Sequence, residues 1–429
     1  MKLKSFALTL VSFCIAAVSV PKVAEAATFS VIADGLDNAR GVSVGPDGSI
    51  YVTETGIGGD GGCVQSPSVQ FASLCSGNTA AITRIKDGQQ ERIFTDLPSL
   101  ALQGSGIEGA GPQDLKFDSQ GNAYLVYGFA GDPTNRDTVF NDSTFGQLYN
   151  IDLNSGALTS IADLAQFELL NNPDQGDVIS NPYALAIQGD TAYVADAGAN
   201  TLLSVALDGS GITNVVPFFS RPFENAVFPE LPPGQQPPPG VDPDAPLNEI
   251  PLQPVPTGVA IGPDGARYVS DFSGFPYPEG GSRVYRVGDD GIPTVFADGF
   301  TQIGDLEFDQ NGNLLVLQYA DQPAWQNNFA ASLFQVAPDG TRTTLISAGE
   351  GLESATSLEV GPDGTIYITN KGDRPGVGQV LQYNPITPTK PITPTQVPEP
   401  TTALGLIAAA AFGTTSMFKH KRRLADVSH

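Results

Sequence analysis

One phrase recurs six times along the chain: an alternating apolar run, a tight turn, and a second alternating run. It first reads Gly41-Val42-Ser43-Val44-Gly45-Pro46-Asp47-Gly48-Ser49-Ile50-Tyr51-Val52, and it returns from Asp114, Ala184, Gly258, Asp305 and Ser357. Alternation of period two is the signature of a half-buried strand, and Pro-Asp-Gly or Asn-Gly between two such runs is a hairpin turn. Most copies are followed by a second hairpin, such as Ala81–Ile85 with Glu91–Phe94. Four strands per unit and six units predict an all-β chain folded as a six-bladed β-propeller. A column of Tyr51, Tyr124, Tyr193, Tyr268, Leu315 and Tyr367 marks the second strands; the longer spacings between them carry insertions. The sixth unit stops at its third strand, Gln379–Tyr383. The missing strand has a counterpart at the other end of the chain, where Phe29–Leu36 matches Thr294–Phe300 of the fourth unit. This predicts an N-terminal strand that completes the last blade and removes an exposed sheet edge.

The propeller accounts for residues 27–384, and the flanks read as addresses. Residues 1–26 have a positive start at Lys2 and Lys4, an apolar run from Phe6 to Val20, and the small-x-small site Ala24-Glu25-Ala26, the pattern of a secretory signal peptide. After a Thr/Pro linker over 385–396 come Val397-Pro398-Glu399-Pro400, an 18-residue apolar helix candidate from Thr401 to Phe418, and a basic cluster ending at Arg423. A run of that length just spans a hydrocarbon core, and the basic cluster would keep its end cytoplasmic, with a short tail over 424–429.

The chain holds 21 Lys and Arg against 46 Asp and Glu. The body keeps 13 of those basic residues and 43 of the acidic ones, a formal charge of −30. This opposes nucleic-acid binding, which rests on cationic neutralisation of phosphates. It suits solubility, cationic ligands or Ca²⁺. Both histidines, His420 and His429, lie in the tail. The body therefore has no Ser-His-Asp triad, no Cys-His pair and no histidine-held metal. Cys63 and Cys75 fall twelve apart in a Gly/Ser-rich loop; in an oxidising compartment they predict one local disulfide that orders residues 57–78. A two-cysteine metal site is the alternative, but its other ligands are missing. Residues 217–256 hold 13 prolines, which argues against regular strand or helix there. This insertion is read as a flexible excursion or a lid over one face.

The repeat also locates a functional face. In a propeller the loops entering the inner strands and leaving the second strands share one side, opposite the Pro-Asp-Gly turns. Ligand-binding candidates at the channel are therefore Arg40, Gln113, Asp114, Tyr183 and Asp305, with Thr257, Thr356 and Ser357 in equivalent places. Arg40 either pairs with one of the aspartates or meets a ligand. Asp114 and Asp305 are the only candidates for a metal, Ca²⁺ through oxygen ligands. A second ring of Glu54, Tyr127, Asp196, Asp271, Gln318 and Asn370 follows the aromatic column; such residues at strand ends commonly satisfy turn amides.

Three resemblances follow from these residues. The tail from Val397-Pro398-Glu399-Pro400 to Arg423 resembles the PEP-CTERM sorting signal, which implies an exosortase-type membrane enzyme as partner and cleavage near Pro-Glu-Pro. Asn181–Ile187 with Tyr193–Asp196 resembles an NHL-type repeat, and Pro256–Gly265 with Tyr268–Asp271 is similar to gluconolactonase/regucalcin-like propellers. Those enzymes imply a channel metal and an Asn where this chain has Thr257. The broader likeness is to the ScyD/ScyE family, carried by Phe29–Gly45, Thr55–Ser76, Gly109–Phe117 and Ser180–Asp196. It implies an exported periplasmic or cell-surface propeller that binds a small-molecule or protein ligand in the envelope, associated with late steps of extracellular pigment assembly. A metal-dependent lactonase or hydrolase and a cell-surface protein-interaction module are the alternatives.

Overall fold

The computed structural model describes residues 29–69, 72–228 and 249–385. The expected signal peptide, Thr/Pro linker, Pro-Glu-Pro motif and C-terminal helix lie outside those residues. No helix among the described residues is long and apolar enough to cross a membrane.

The described chain is a six-bladed propeller. Its inner strands are Ala39–Val44, Pro112–Phe117, Pro182–Gln188, Pro256–Ile261, Ile303–Phe308 and Ser357–Val360. Each touches the next, and the sixth returns to the first. Blades two to five each continue outward as an antiparallel sheet of four strands in sequence order. In the sixth blade the outermost strand is Phe29–Leu36, paired antiparallel to Gly378–Tyr383, with Phe29 opposite Tyr383 and Leu36 opposite Gly378. The N-terminal closure expected from the repeat is therefore present.

The turn chemistry explains why the repeat phrase is so regular. At Pro46-Asp47-Gly48 the Asp47 carboxylate accepts the Ser49 amide at 3.1 Å, and Gly48 turns the chain at φ +77. Gly45, just before the turn, lies under the ring of Tyr51; a Cβ there would fall 2.6 Å from Tyr51 Cε2. Gly262 stands in the same relation to Tyr268. The glycine and the aromatic column thus recur together because one makes room for the other.

Between consecutive blades lies one apolar seam, and six seams make up the core. The seam at the closure joins Ala33, Leu36 and Val380 to Ala39, Val42 and Val52. Ring closure is therefore a packing event as well as a strand pairing.

Two departures from the sequence reading matter for the site. In the first blade the outer hairpin is longer than the repeat suggests: Ser73–Lys86 and Gln89–Leu102 each run 14 residues, and Cys63–Gln65 pairs with the extension. The disulfide joins Cys63 and Cys75 in register across that pairing. The second departure is a correction. The Pro-rich insertion does contain regular structure, a hairpin of Arg221–Glu224 with Glu249–Leu252. Pro222 lies opposite Pro251. In a two-stranded ribbon both strands are edges, so a proline whose N–H the ladder does not need costs little. Pro217 likewise ends an outer strand and Pro256 opens an inner one. Residues 229–248, on which the choice between lid and excursion falls, are outside the described chain.

Leu36 is fully buried in the closure seam, whereas Val31 on the same strand is 53% exposed. Leu36→Ala is expected to cost about 2–5 kcal/mol in chemical denaturation, and Val31→Ala less than about 0.5 kcal/mol. Equal effects would show that the strand does not seal the ring.

Candidate functional site

On the face expected from the repeat, the channel opens into a cavity of about 350 Å³. Its wall collects Arg40, Gln113, Tyr183 and Thr257 from the entries to four inner strands. It adds residues that the sequence reading did not single out: Glu108, Phe272, Tyr277, Gln302, Tyr319 and Asp373. Phe272, Tyr319 and Asp373 lie in loops that leave second strands, so the face was legible but the individual side chains were not. Ser66, Pro67 and Leu74, from the disulfide-bearing extension of the first blade, complete one side.

The apolar part of the wall is a network of rings. Phe272 packs 5.9 Å from Tyr277 and 5.6 Å from Tyr319, between ring centroids, and Phe275 lies 5.9 Å from Tyr277. Beside them Val255 holds φ +53, a left-handed conformation that is strained for a β-branched residue. Its amide donates to Asn200 Oδ1 at 3.0 Å and its carbonyl accepts the Phe272 amide at 3.0 Å. The neighbouring blades thus hold the strained loop in place.

The polar part centres on Arg40. Its guanidinium donates to the Gly372 carbonyl and the Gly109 carbonyl, each at 3.2 Å. It forms no ion pair with Asp114 or Asp305, contrary to one of the two alternatives the sequence left open. Neutral carbonyls position it without an ion-pair contact, and Nε has no hydrogen-bond partner. Two carboxylates share the wall. The Tyr319 hydroxyl donates to Asp373 Oδ2, while Asp373 Oδ1 has no hydrogen bond and lies 3.9 Å from Arg374 Nε. Glu108 keeps solvent access through the mouth, yet the surrounding protein raises its carboxyl above the usual range; Arg40 opposes the rise and Asp373 adds to it. Gln113 Oε1 and both amide atoms of Gln302 are buried without partners. Such unspent hydrogen-bonding capacity, gathered in one wall, is costly unless something completes it.

Asp114 and Asp305 do not belong to this mouth, and their placement corrects the candidate set. They sit one step down the inner strands and face the channel itself. Asp114 Oδ2 accepts the Leu185 amide at 3.0 Å. Asp305 Oδ2 accepts the Leu358 amide at 3.0 Å and the Ser357 hydroxyl at 2.7 Å. Each aspartate therefore ties its own blade to the next. Gly41 and Gly258 make the room: a Cβ on either would fall 2.6 Å from Asp114 Oδ1 or 2.8 Å from Asp305 Oδ1. Two residues further along the strands come Lys116, Glu307 and Glu359. Lys116 Nζ donates to Glu359 Oε2 at 2.6 Å. Burial pushes Asp114 up to about 7 and Asp305 up to about 6, with Lys116 opposing both. Burial also raises Glu307. It works to lower Lys116, but the carboxylates around it, Glu359 first, hold the ammonium well above its ordinary value.

These donors do not fit a divalent ion. Among the described residues no three His, Cys, Asp or Glu side chains are arranged to hold a metal. The two aspartates are committed to strand amides, and a resident ammonium lies among the carboxylates. Thr257 spends its hydroxyl on the Ile303 carbonyl at 2.6 Å.

The second ring is structural in its contacts. Asp196 accepts the amides of Asn181, Gly198 and Ala199, Gln318 accepts that of Thr301, and Asn370 that of Glu353. The Tyr127 hydroxyl donates to the Pro98 carbonyl. Glu54 is paired with Arg92, and Asp271 with Arg221 at 2.7 Å. That last pair fastens the insertion's hairpin beside the cavity, which Gln253 and Val255 also line.

No protein-family model matches the chain, and no curated protein sequence matches it. Solved structures similar to it include a putative gluconolactonase (13% identity, 83% of this chain and 92% of that one, TM-score 0.46). Others are a putative glucose dehydrogenase from Thermus thermophilus (16%, 83% and 100%, 0.47) and a calcium-binding regucalcin from Agrobacterium tumefaciens (12%, 83% and 95%, 0.44). The activities in those names belong to those proteins.

The channel carboxylates contribute to the pH dependence of stability. Asp114 and Asp305 titrate near 7 and 6 when folded, and near 4 when unfolded. Between those values the folded chain binds protons that the unfolded chain releases, so these two groups make stability fall as pH rises from about 4 to about 7. The thermal midpoint is expected to be higher at pH 5 than at pH 8, and Asp114→Asn to flatten that slope. A midpoint that rises over this range would contradict the assignment.

Proposed function

We propose that this chain is an envelope propeller that binds a small organic molecule at the mouth of its channel, a molecule with a flat apolar body and one anionic or strongly accepting group. The observation that carries the reading is Arg40: a guanidinium held by two neutral carbonyls, with no carboxylate in ion-pair contact, beside an aromatic wall in a cavity of about 350 Å³. Cavities of a few hundred Å³ lined mainly by aromatic groups with a few placed polar ones are the usual form of small-molecule sites. Stacking on Phe272 and Tyr319 supplies the contact area. Arg40 and the open amide groups of Gln113 and Gln302 supply orientation.

The resemblance to the ScyD/ScyE family supports an exported binding or assembly factor acting outside the cytoplasm, in extracellular pigment biosynthesis. The signal-peptide pattern and the PEP-CTERM-like tail support passage across the membrane, an anchor through the C-terminal helix, and processing by an exosortase-type partner. The alternative of a calcium-dependent lactonase of gluconolactonase/regucalcin-like type has less support, because the channel carboxylates are already engaged. A cell-surface protein-interaction module is the remaining alternative.

Titration calorimetry of the purified chain with planar aromatic carboxylates and phenols, alongside neutral isosteres, tests the reading. Binding is expected for the anions and weak binding for the isosteres, with Arg40→Met costing at least about tenfold in affinity, roughly 1.4 kcal/mol. Anions that fail to bind, or that bind Arg40→Met as well as the parent, would overturn it. Fractionation of the producing cells is expected to find the chain in the envelope without residues 1–26; recovery from the cytoplasm at full length would refute export.

A further inference from the structure

The charges around the mouth do not balance. Among the described residues that line it, Arg40 is the one cation, against the carboxylates of Glu108, Asp177 and Asp373. A ligand with an anionic group alone would meet Arg40 in the face of that majority. Glu108 and Asp177 are exposed, and among the described residues neither stands in an ion pair. Glu108 holds a left-handed conformation, φ +57, on a loop pinned on both sides of it. Asn38 Nδ2 donates to the Gly106 carbonyl at 2.6 Å, and Arg40 donates to the Gly109 carbonyl at 3.2 Å. Strain kept in place by its surroundings marks a positioned residue. The loop that carries Glu108 also anchors Arg40, so the two charges keep a set spacing. Burial holds the phenols of Tyr277 and Tyr319 above their ordinary range and Glu108 adds to the rise, so its charge reaches the aromatic wall.

The hydrogen-bonding groups tilt the same way. Gln113 and Gln302 are 2% and 1% exposed. Three buried acceptors of the wall have no hydrogen bond, Gln113 Oε1, Gln302 Oε1 and Asp373 Oδ1, against two donors, Arg40 Nε and Gln302 Nε2. Arg374 Nε stands off from Asp373 Oδ1 at 3.9 Å, and its head group is engaged by Glu353 at 3.2 Å. Buried acceptors call for donors. An ammonium brings three N–H donors with a positive charge, and aromatic faces attract it. We propose that the occupant of the mouth is a zwitterion, an aromatic amino acid, whose ring packs on Phe272 and Tyr319, whose carboxylate meets Arg40, and whose ammonium meets Glu108, Asp373 and the open acceptors. This rests on the reading of the mouth as a small-molecule site and adds a second charge to its ligand. Glu108 is then the residue that tells an amino acid from a plain aromatic acid, since a site built to pair with a polar group disfavours the analogue that lacks it.

Titration calorimetry of the full chain near neutral pH with phenylalanine, 3-phenylpropionate and phenethylamine tests this, because the set keeps the ring and removes one charge at a time. Phenylalanine is expected to bind at least about tenfold more tightly than either of the others. Glu108→Gln, a near-isosteric change at an exposed position, is expected to weaken phenylalanine about tenfold and to tighten 3-phenylpropionate, since it removes a like charge beside Arg40. Effects of opposite sign separate recognition from damage to the fold, which would weaken both. The proposal is overturned if phenylalanine binds no more tightly than 3-phenylpropionate, or if Glu108→Gln weakens the two alike. In either case, binding of 3-phenylpropionate that is lost with Arg40→Met leaves the mouth a site for simple anions. Failure of all three to bind also overturns the proposal, and the planar carboxylates then decide the reading of the mouth separately.

Discussion

The structure depends on one pairing between residues at opposite ends of the body. Phe29–Leu36 lies along Gly378–Tyr383, and its buried side chains, Ala33 and Leu36, enter the seam between the sixth blade and the first. Without it, the outer edge of the last blade would offer unpaired amides and carbonyls, and one of the six seams would lose a large share of its apolar surface. With it, every blade is flanked on both sides. The inner strands then form an unbroken circle, so most of what they project inward is shielded from bulk solvent.

That exclusion governs the channel. Inner-strand residues alternate between the seams and the passage. At two successive levels the equivalent inner-strand positions read Gly41, Asp114, Ala184, Gly258, Asp305, Ser357 and then Ser43, Lys116, Ala186, Ala260, Glu307, Glu359. At the first level each aspartate follows a glycine on the preceding blade and caps an amide on the next, once in each half of the ring. The small residues are therefore spatial complements of the charged ones. At the second level a lysine answers the glutamates. The raised carboxyl values near neutrality follow from burial in this passage, with Lys116 holding the cluster together.

The mouth is built differently. Regular strands bring Arg40, Gln113 and Tyr183 to one place, but most of the cavity's depth comes from material outside the repeat. The 14-residue hairpin strands of the first blade, closed by the Cys63–Cys75 bridge, raise one wall. Loops after the second strands of blades four, five and six contribute Phe272, Tyr319 and Asp373. The insertion's hairpin is fixed beside them through Arg221 and Asp271. A common frame thus carries an individual site, and the chemistry of that site is that of the loops.

How much could be read beforehand follows from the range of the interactions. Period-two alternation, turn residues and the recurrence of one phrase are local, and they sufficed for six blades, the borrowed first strand, the disulfide and the face on which a site would open. They misjudged the prolines of the insertion, because a two-stranded ribbon tolerates residues that a sheet interior rejects. They also placed Asp114 and Asp305 at the mouth with Arg40. In the strands these residues differ by a single position, and one position in a pleated strand changes the side that is faced. The sequence alone determined the ring, its closure and the residues available to its centre. Only the tertiary structure decided that Lys116 stands among four carboxylates and that Arg40 does not, because those partners lie on different blades and meet only when the circle is closed.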